Sequence, residues 1–214
     1  MGKTAFALNI AQQSAVKAGS SVMIFSLEMS KEQLGQRLLA MQARVEIQKL
    51  KQGDLDRKDW DRITMALDEL NNTKIVIDDT PGISIMEMRN KCRRLKAEQG
   101  LDLVVVDYLQ LMSLQGKTDN RQQEISTISR NLKLLAREIE CPVIVLSQLS
   151  RAPEQRQDHR PVLSDLRESG SIEQDADIVI FLYRDDYYNE NTDKPGVCEV
   201  NIAKHRSGPT DKVE

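Results

Sequence analysis

The chain has 214 residues, with 30 Lys or Arg against 33 Asp or Glu and a net charge of −3. That length supports one sizeable core rather than two. The balance of 40% hydrophobic and 29% charged residues is that of a globular chain, and no apolar run approaches the ~20 residues of a membrane span. A mildly acidic chain with 4% aromatic residues has neither bulk attraction for nucleic acid nor a base-stacking platform, so any such contact must come from a local patch. Cys92, Cys141 and Cys198 are far apart and odd in number. They predict neither a disulfide framework nor a metal pair, and point to a reducing cytoplasm with no membrane partner.

Taken in chain order, helical and strand-like segments alternate. Gly2-Lys3-Thr4 opens a helix over residues 3–18, with Ala5, Leu8, Ala11 and Ala15 at helical spacing. SVMIFS at 21–26 is a short apolar run and predicts a buried strand. Ser30 with Gln33 makes a capping-box pattern for a helix over 30–43. Asp56 caps a helix over 56–70 whose apolar face is expected to carry Trp60, Ile63, Ala66 and Leu67. KIVID at 74–78 is a strand, Pro81-Gly82 turns the chain, and a helix runs from Ser84 to about Gln99 before Gly100 ends it.

LDLVVVD at 101–107 is the strongest strand pattern, followed by a long helix over 119–139 and the strand PVIVLS at 142–147. A polar loop leads to the last strands, DIVIFLY at 177–183 and VCEVNIA at 197–203, whose polar connection predicts a hairpin. Continuous apolar strands separated by helices define an α/β protein with a mainly parallel twisted sheet, helices on both faces and an antiparallel C-terminal hairpin. The chain is read as a single domain, 1–214, cut at both ends: the closing TDKVE starts like a strand and stops.

Gly2-Lys3-Thr4 matches the second half of a phosphate-binding loop, GxxxxGK[ST]. Backbone amides at the helix start cradle phosphates in such a loop, the Lys reaches the β/γ-phosphates and the Thr hydroxyl holds Mg²⁺. GK[ST] arises by chance in roughly one chain in ten of this length, so it carries weight only with its partners. Three buried strands supply them, leading to Glu28, Asp107 and Gln148. Open α/β sheets bind ligands at the carboxyl ends of their strands, so all four features converge on one rim.

Asp107 fits a Mg²⁺-associated carboxylate, or else a carboxylate closing a strand at the surface. Glu28 fits the base that orients or deprotonates a water, or an acid favouring the dipole of the next helix. Gln148 fits a γ-phosphate contact or a solvated loop residue. Lys204-His205-Arg206 precedes the turn Ser207-Gly208-Pro209, where basic groups can reach a neighbouring subunit's phosphate; a plain basic surface turn is the alternative. The loop 149–176 carries Arg151, Arg156, Arg160 and Arg167 among acids, and small residues around Arg167-Glu168-Ser169-Gly170-Ser171 leave amides open to phosphate.

MGKTAFALNIA, VMIFSLEMS, LDLVVVDYLQLM, SDLRESGSIEQDAD and KHRSGPT together resemble the bacterial replicative DNA helicases of the DnaB type, in their RecA-like motor domain. The resemblance runs over essentially the whole chain. It implies ATP and Mg²⁺ bound by Gly2, Lys3, Thr4 and Asp107, with Thr4 and Asp107 on the metal. It implies Glu28 as the catalytic carboxylate, Gln148 as the sensor, and Lys204 with Arg206 as a finger pair donated in trans. Arg167, Glu168 and Gly170 correspond to the family's channel loop, which grips the backbone of single-stranded DNA. A homo-hexameric ring at the replication fork, with primase and helicase loader as partners in the nucleoid, follows from the same likeness. A strand-exchange recombinase of the RecA/RadA kind, or a non-catalytic fragment of the motor, are the other readings of this core.

Overall fold

A computed structural model of the chain describes residues 2–112 and 121–214; the side chains of residues 167–170 lie outside that description. The elements run α1 (Lys3–Ala18), β1 (Ser21–Ser26), α2 (Lys31–Ala43), α3 (Ile47–Gln52), α4 (Arg57–Asn71), β2 (Lys74–Asp78) and α5 (Ile85–Gln99). Then come β3 (Leu103–Asp107), α6 (Arg121–Glu138), β4 (Val143–Val145), α7 (Gly170–Asp175), β5 (Ile178–Tyr183), β6 (Glu199–His205) and β7 (Asp211–Val213).

Local chemistry sets the helix starts. Ser30 with Gln33, Asp56 with Asp59, and Ser84 with Glu87 each form a complete capping box, so side chains satisfy amides that the first turn leaves open. β1, β2, β3 and β4 form a parallel sheet in the order β2-β1-β3-β4. Alternate residues of the two central strands face opposite layers. Met23, Phe25, Val104 and Val106 pack with Met88 of α5 and with Ile128 and Leu132 of α6. Val22, Ile24, Leu103 and Val105 pack with Ala7, Leu8 and Ala11 of α1 and with Leu34 and Leu38 of α2. The register Phe25↔Val106 and Ser26↔Asp107 brings β1 and β3 to the same height. The loop after β1 and the end of β3 therefore open on one rim.

β5, β6 and β7 form a separate antiparallel sheet among the described residues. TDKVE, expected to start like a strand, does so as β7, which adds a third strand to the expected hairpin. Three expectations change here. β6 extends to His205, so Lys204 and His205 belong to the strand and only Arg206 begins the turn. β5 buries Val179, Phe181 and Tyr183 but leaves Ile178 and Ile180 at 48% and 43% exposure, so this apolar run is covered on one face. In the polar loop, α7 and short 3₁₀ turns at Ala152–Gln155 and Leu163–Ser169 replace an unstructured connection.

The face of α4 is also rotated from the expected one. Ile63 and Ala66 are buried, but Trp60 is 56% exposed and Asp59 takes the inner position. Asp59 is drawn inward by its capping box and by Arg62, whose Nη2 donates to it at 2.5 Å. Partners there outweigh the apolar pattern.

Candidate functional site

α1 begins at Gly2, whose φ of 86° is left-handed backbone that favours glycine. No side chain caps this helix, so its first amides face the rim open. Lys3 Nζ donates to the Ser147 carbonyl at 3.0 Å, tying the start of α1 to the end of β4. Thr4 Oγ1 donates to Asp107 Oδ2 at 2.8 Å. The loop after β1 is fixed to the same place: Leu27 N donates to the Asp107 carbonyl at 2.7 Å, and Ser26 Oγ donates to the Met29 carbonyl at 2.6 Å. Glu28 stands exposed on that loop, and its charge acts on both Lys3 and Asp107.

The electrostatics follow from burial. Desolvation pulls the Lys3 ammonium below the ordinary lysine range, although Asp107 and Glu28 favour its charge. Burial pushes the Asp107 carboxyl up; the Thr4 hydrogen bond lowers it, Glu28 raises it, and Lys3 and Arg37 lower it. Each charged form is thus under-compensated. An added polyanion favours Lys3 as a cation, and an added cation favours Asp107 as a carboxylate. A phosphate chain with a divalent metal meets both needs, and Thr4 and Asp107 are the hard-oxygen donors such a metal takes.

Gln148 follows Ser147 on the same rim with an exposed side chain. Gln110 clamps its backbone: Gln148 N donates to Gln110 Oε1 at 3.2 Å, and Gln110 Nε2 donates to Ser147 Oγ at 2.9 Å and to the Gln148 carbonyl at 3.2 Å. Gln110 and Arg37 are the site residues that motif reading missed. Gln110 lies just past the strand that ends in Asp107, and Arg37 lies on the helix that starts after Glu28, so adjacency to named residues is the signal that finds them.

Lys204 and Arg206 lie elsewhere. Lys204 Nζ donates to the Glu173 carbonyl and Arg206 Nη2 to the Gln174 carbonyl at 2.6 Å, both at the end of α7. The backbone of Arg167 and Glu168 closes a 3₁₀ turn, and Gly170 begins α7; the contacts of their side chains are outside the described residues. Two arginines of the preceding loop are committed internally. Arg156 pairs with buried Asp165, and Arg160 pairs with buried Glu199 while lying 4.4 Å from the Tyr183 ring centre.

A helix start open to anions, a lysine and threonine on it, and an aspartate at the end of the adjoining strand form an arrangement suited to phosphate, on a fold of the RecA-like α/β class. The DnaB-like helicase C-terminal domain family matches residues 1–214, and the chain belongs to that family. It is 58% identical over 214 residues to the replicative DNA helicase DnaC of Bacillus subtilis (strain 168), covering 100% of this chain and 47% of that protein. Against the replicative DNA helicase DnaB of Geobacillus stearothermophilus, identity is 58% over 215 residues, again covering 100% of this chain and 47% of the relative. The chain thus spans about half the length of these curated relatives. Among solved structures, a DnaB-like replicative helicase described with its interactions with primase superposes with a TM-score of 0.95 at 46% identity, over 100% of this chain and 52% of that one. A second solved structure, described as an ATPase domain, gives a TM-score of 0.95 at 46% identity, over 99% of this chain and 76% of that one.

Proposed function

We propose that this chain is the ATP-hydrolysing motor domain of a replicative DNA helicase, acting on single-stranded DNA as part of a homo-hexameric ring in the bacterial cytoplasm. The observation that carries the reading is the Thr4–Asp107 hydrogen bond at 2.8 Å beside the half-buried Lys3 ammonium. It supports the reading because a hydroxyl and a carboxylate of the kind Mg²⁺ takes stand beside a cation of the kind phosphate takes. Family membership across residues 1–214 supports the rest.

Lys3 and the open amides of α1 bind the β- and γ-phosphates of ATP. Thr4 and Asp107 would hold Mg²⁺, which would screen phosphate charge. Glu28, exposed on a loop pinned to Asp107, orients the attacking water and takes its proton. Arg37 adds a fixed positive charge from α2. Gln148, held by Gln110, contacts the γ-phosphate and passes its loss into the loop toward residues 167–170. Lys204 and Arg206 are offered to the nucleotide of the adjacent subunit, where a cation in trans stabilises charge in the transition state. Arg167, Glu168 and Gly170 contact the DNA backbone, which suits a motor that must not prefer a sequence. Primase is its partner at the fork, by likeness to the helicase described with its interactions with primase, and a helicase loader is a partner by the family resemblance alone.

ATP turnover by the full-length protein, followed across protein concentration with and without single-stranded DNA, tests this reading. A steep rise with concentration, stimulated by DNA, is expected of a multi-subunit motor with shared sites. Absence of turnover at every concentration in folded protein contradicts it and favours a non-catalytic role. DNA-stimulated turnover that accompanies strand pairing rather than unwinding assigns the core to a recombinase instead.

A further inference from the structure

α7 is six residues long, and the carbonyls of its last turn have no partners within the helix. Two cations from β6 and its following turn meet them. Lys204 donates to the Glu173 carbonyl, and Arg206 donates to the Gln174 carbonyl at 2.6 Å. Arg206 Nη1 also lies 3.7 Å from Asp177 Oδ1, and its backbone N–H donates to the Asp177 carbonyl at 2.9 Å. On the other side, α6 secures the same short segment: Ser129 Oγ donates to Asp175 Oδ2 at 2.8 Å, and Lys133 pairs with Asp177. The end of α7 is therefore a junction where β6, α6 and the helix that begins at Gly170 meet.

The acceptors at this junction are mostly neutral carbonyl oxygens, and Arg206 is about half exposed. A cation held at a helix C-terminus in contact with water is held weakly. A phosphate oxygen carries full charge and makes stronger, shorter hydrogen bonds with the same groups.

We propose that Lys204 and Arg206 exchange between two acceptor sets, the C-terminal carbonyls of α7 in their own subunit and the nucleotide phosphate of the next. This rests on the trans role assigned to the pair above. With the pair on α7, the helix is closed at its end and residues 167–170, which lead into it, are held. With the pair on the neighbour's phosphate, the end of α7 is released. Coupling of this kind is reciprocal, so DNA bound through the segment 167–170 alters how readily the pair leaves. Asp177 is a positioning residue in this scheme, because it keeps Arg206 near α7 without touching nucleotide.

Hydrogen exchange of the α7 amides in the full-length protein tests the exchange directly, read at Ala176, whose N–H donates to the Ile172 carbonyl at 3.0 Å. In nucleotide-free protein, Lys204→Ala and Arg206→Ala are expected to speed exchange there several-fold. Adding ADP with aluminium fluoride is expected to speed it in the unaltered protein and to change nothing further in the double variant. Asp177→Asn keeps both cations and is expected to give a smaller rise, which serves if the alanine variants fail to fold. Equal exchange in the unaltered protein and every variant overturns the proposal. Faster exchange in the variants, with no response to the analogue while trans hydrolysis persists in mixed rings, also overturns it and leaves the finger reading intact. If mixed rings show no trans action, the finger reading itself fails, the exchange fails with it, and only the cis contacts remain.

Discussion

Lys3 and Arg206 are both cations that the proposed function assigns to phosphate, and the chain holds them by different means. Lys3 sits at the start of a 16-residue helix packed on the central sheet, half-buried, donating at 3.0 Å to a carbonyl at the end of β4. Its neighbours Thr4 and Asp107 are locked to each other, and Asp107 is buried. Arg206 stands on a turn of a three-stranded sheet, half exposed, with its head on the end of a six-residue helix. The first arrangement is preorganised: the groups already stand where charge will be needed, and little has to move. The second is provisional on the proposed account, since its shortest contact is to a neutral carbonyl, with the Asp177 carboxylate farther off at 3.7 Å. The proposed motor, with its nucleotide site completed by a neighbour, uses both.

The contrast is broken most strongly at the provisional end. Arg206→Ala is expected to lower turnover by about 10³–10⁵-fold while nucleotide affinity at its own site is kept; steady-state hydrolysis with a fluorescent-nucleotide titration checks this. Glu28→Gln is expected to cost about 10²–10⁴-fold in turnover, also with binding retained. Normal hydrolysis in that variant removes Glu28 from the catalytic role. Gln110→Ala probes the preorganised rim at one remove. Freed from its clamp, Gln148 is expected to lose position and lower kcat by up to about 10²-fold at nearly constant KM for ATP, with DNA stimulation lost. An equal change in kcat and KM, or a simple loss of stability, argues against a positioning role.

Smaller effects sharpen the picture of the basic rim. A Cβ on Gly208 would lie 2.5 Å from His205 Cε1, so Gly208→Ala forces the ring off the turn that carries Arg206. The expected cost is about 1–3 kcal/mol, seen as a lower thermal midpoint, with turnover reduced and cis nucleotide binding unchanged. Acid sensitivity comes from Glu199 at the start of β6, which Arg160 holds down at about 2 against an ordinary 4.5, with Lys212 assisting and burial opposing. Because the folded value is depressed, Glu199 contributes its full stability above pH 4.5 and loses it as pH falls through about 2. Glu199→Gln is expected to flatten that acid limb in denaturant titrations across pH.

The same two regions differ in how far the sequence reveals them. Around the rim, strand and motif reinforce each other: SVMIFS and LDLVVVD are apolar runs that form the two central strands, PVIVLS pairs beside them as β4, and the residues after all three fall on the rim by topology. Capping boxes at Ser30 and Ser84 are local chemistry and equally legible. The basic rim is not, because its geometry is made by distant partners. Nothing near Lys204 in sequence shows that it meets the Glu173 carbonyl, 31 residues away. α7 is too short to give a periodic pattern, and β6 runs on through Lys204 and His205 because antiparallel pairing with Val179 and Ile178 continues there. Trp60 misled for a related reason: its helix turned a capped, ion-paired Asp59 inward, and no count of apolar residues anticipates that.

The most direct test of a site shared between subunits is single-turnover ATP hydrolysis in rings mixed from Glu28→Gln and Arg206→Ala subunits. Each variant alone is expected to be inactive. Mixed rings bring an intact Glu28 against an intact neighbouring Arg206 at some interfaces, so hydrolysis is expected to reappear and to peak at intermediate mixing ratios. No recovery at any ratio, with mixed rings shown to form, contradicts the account.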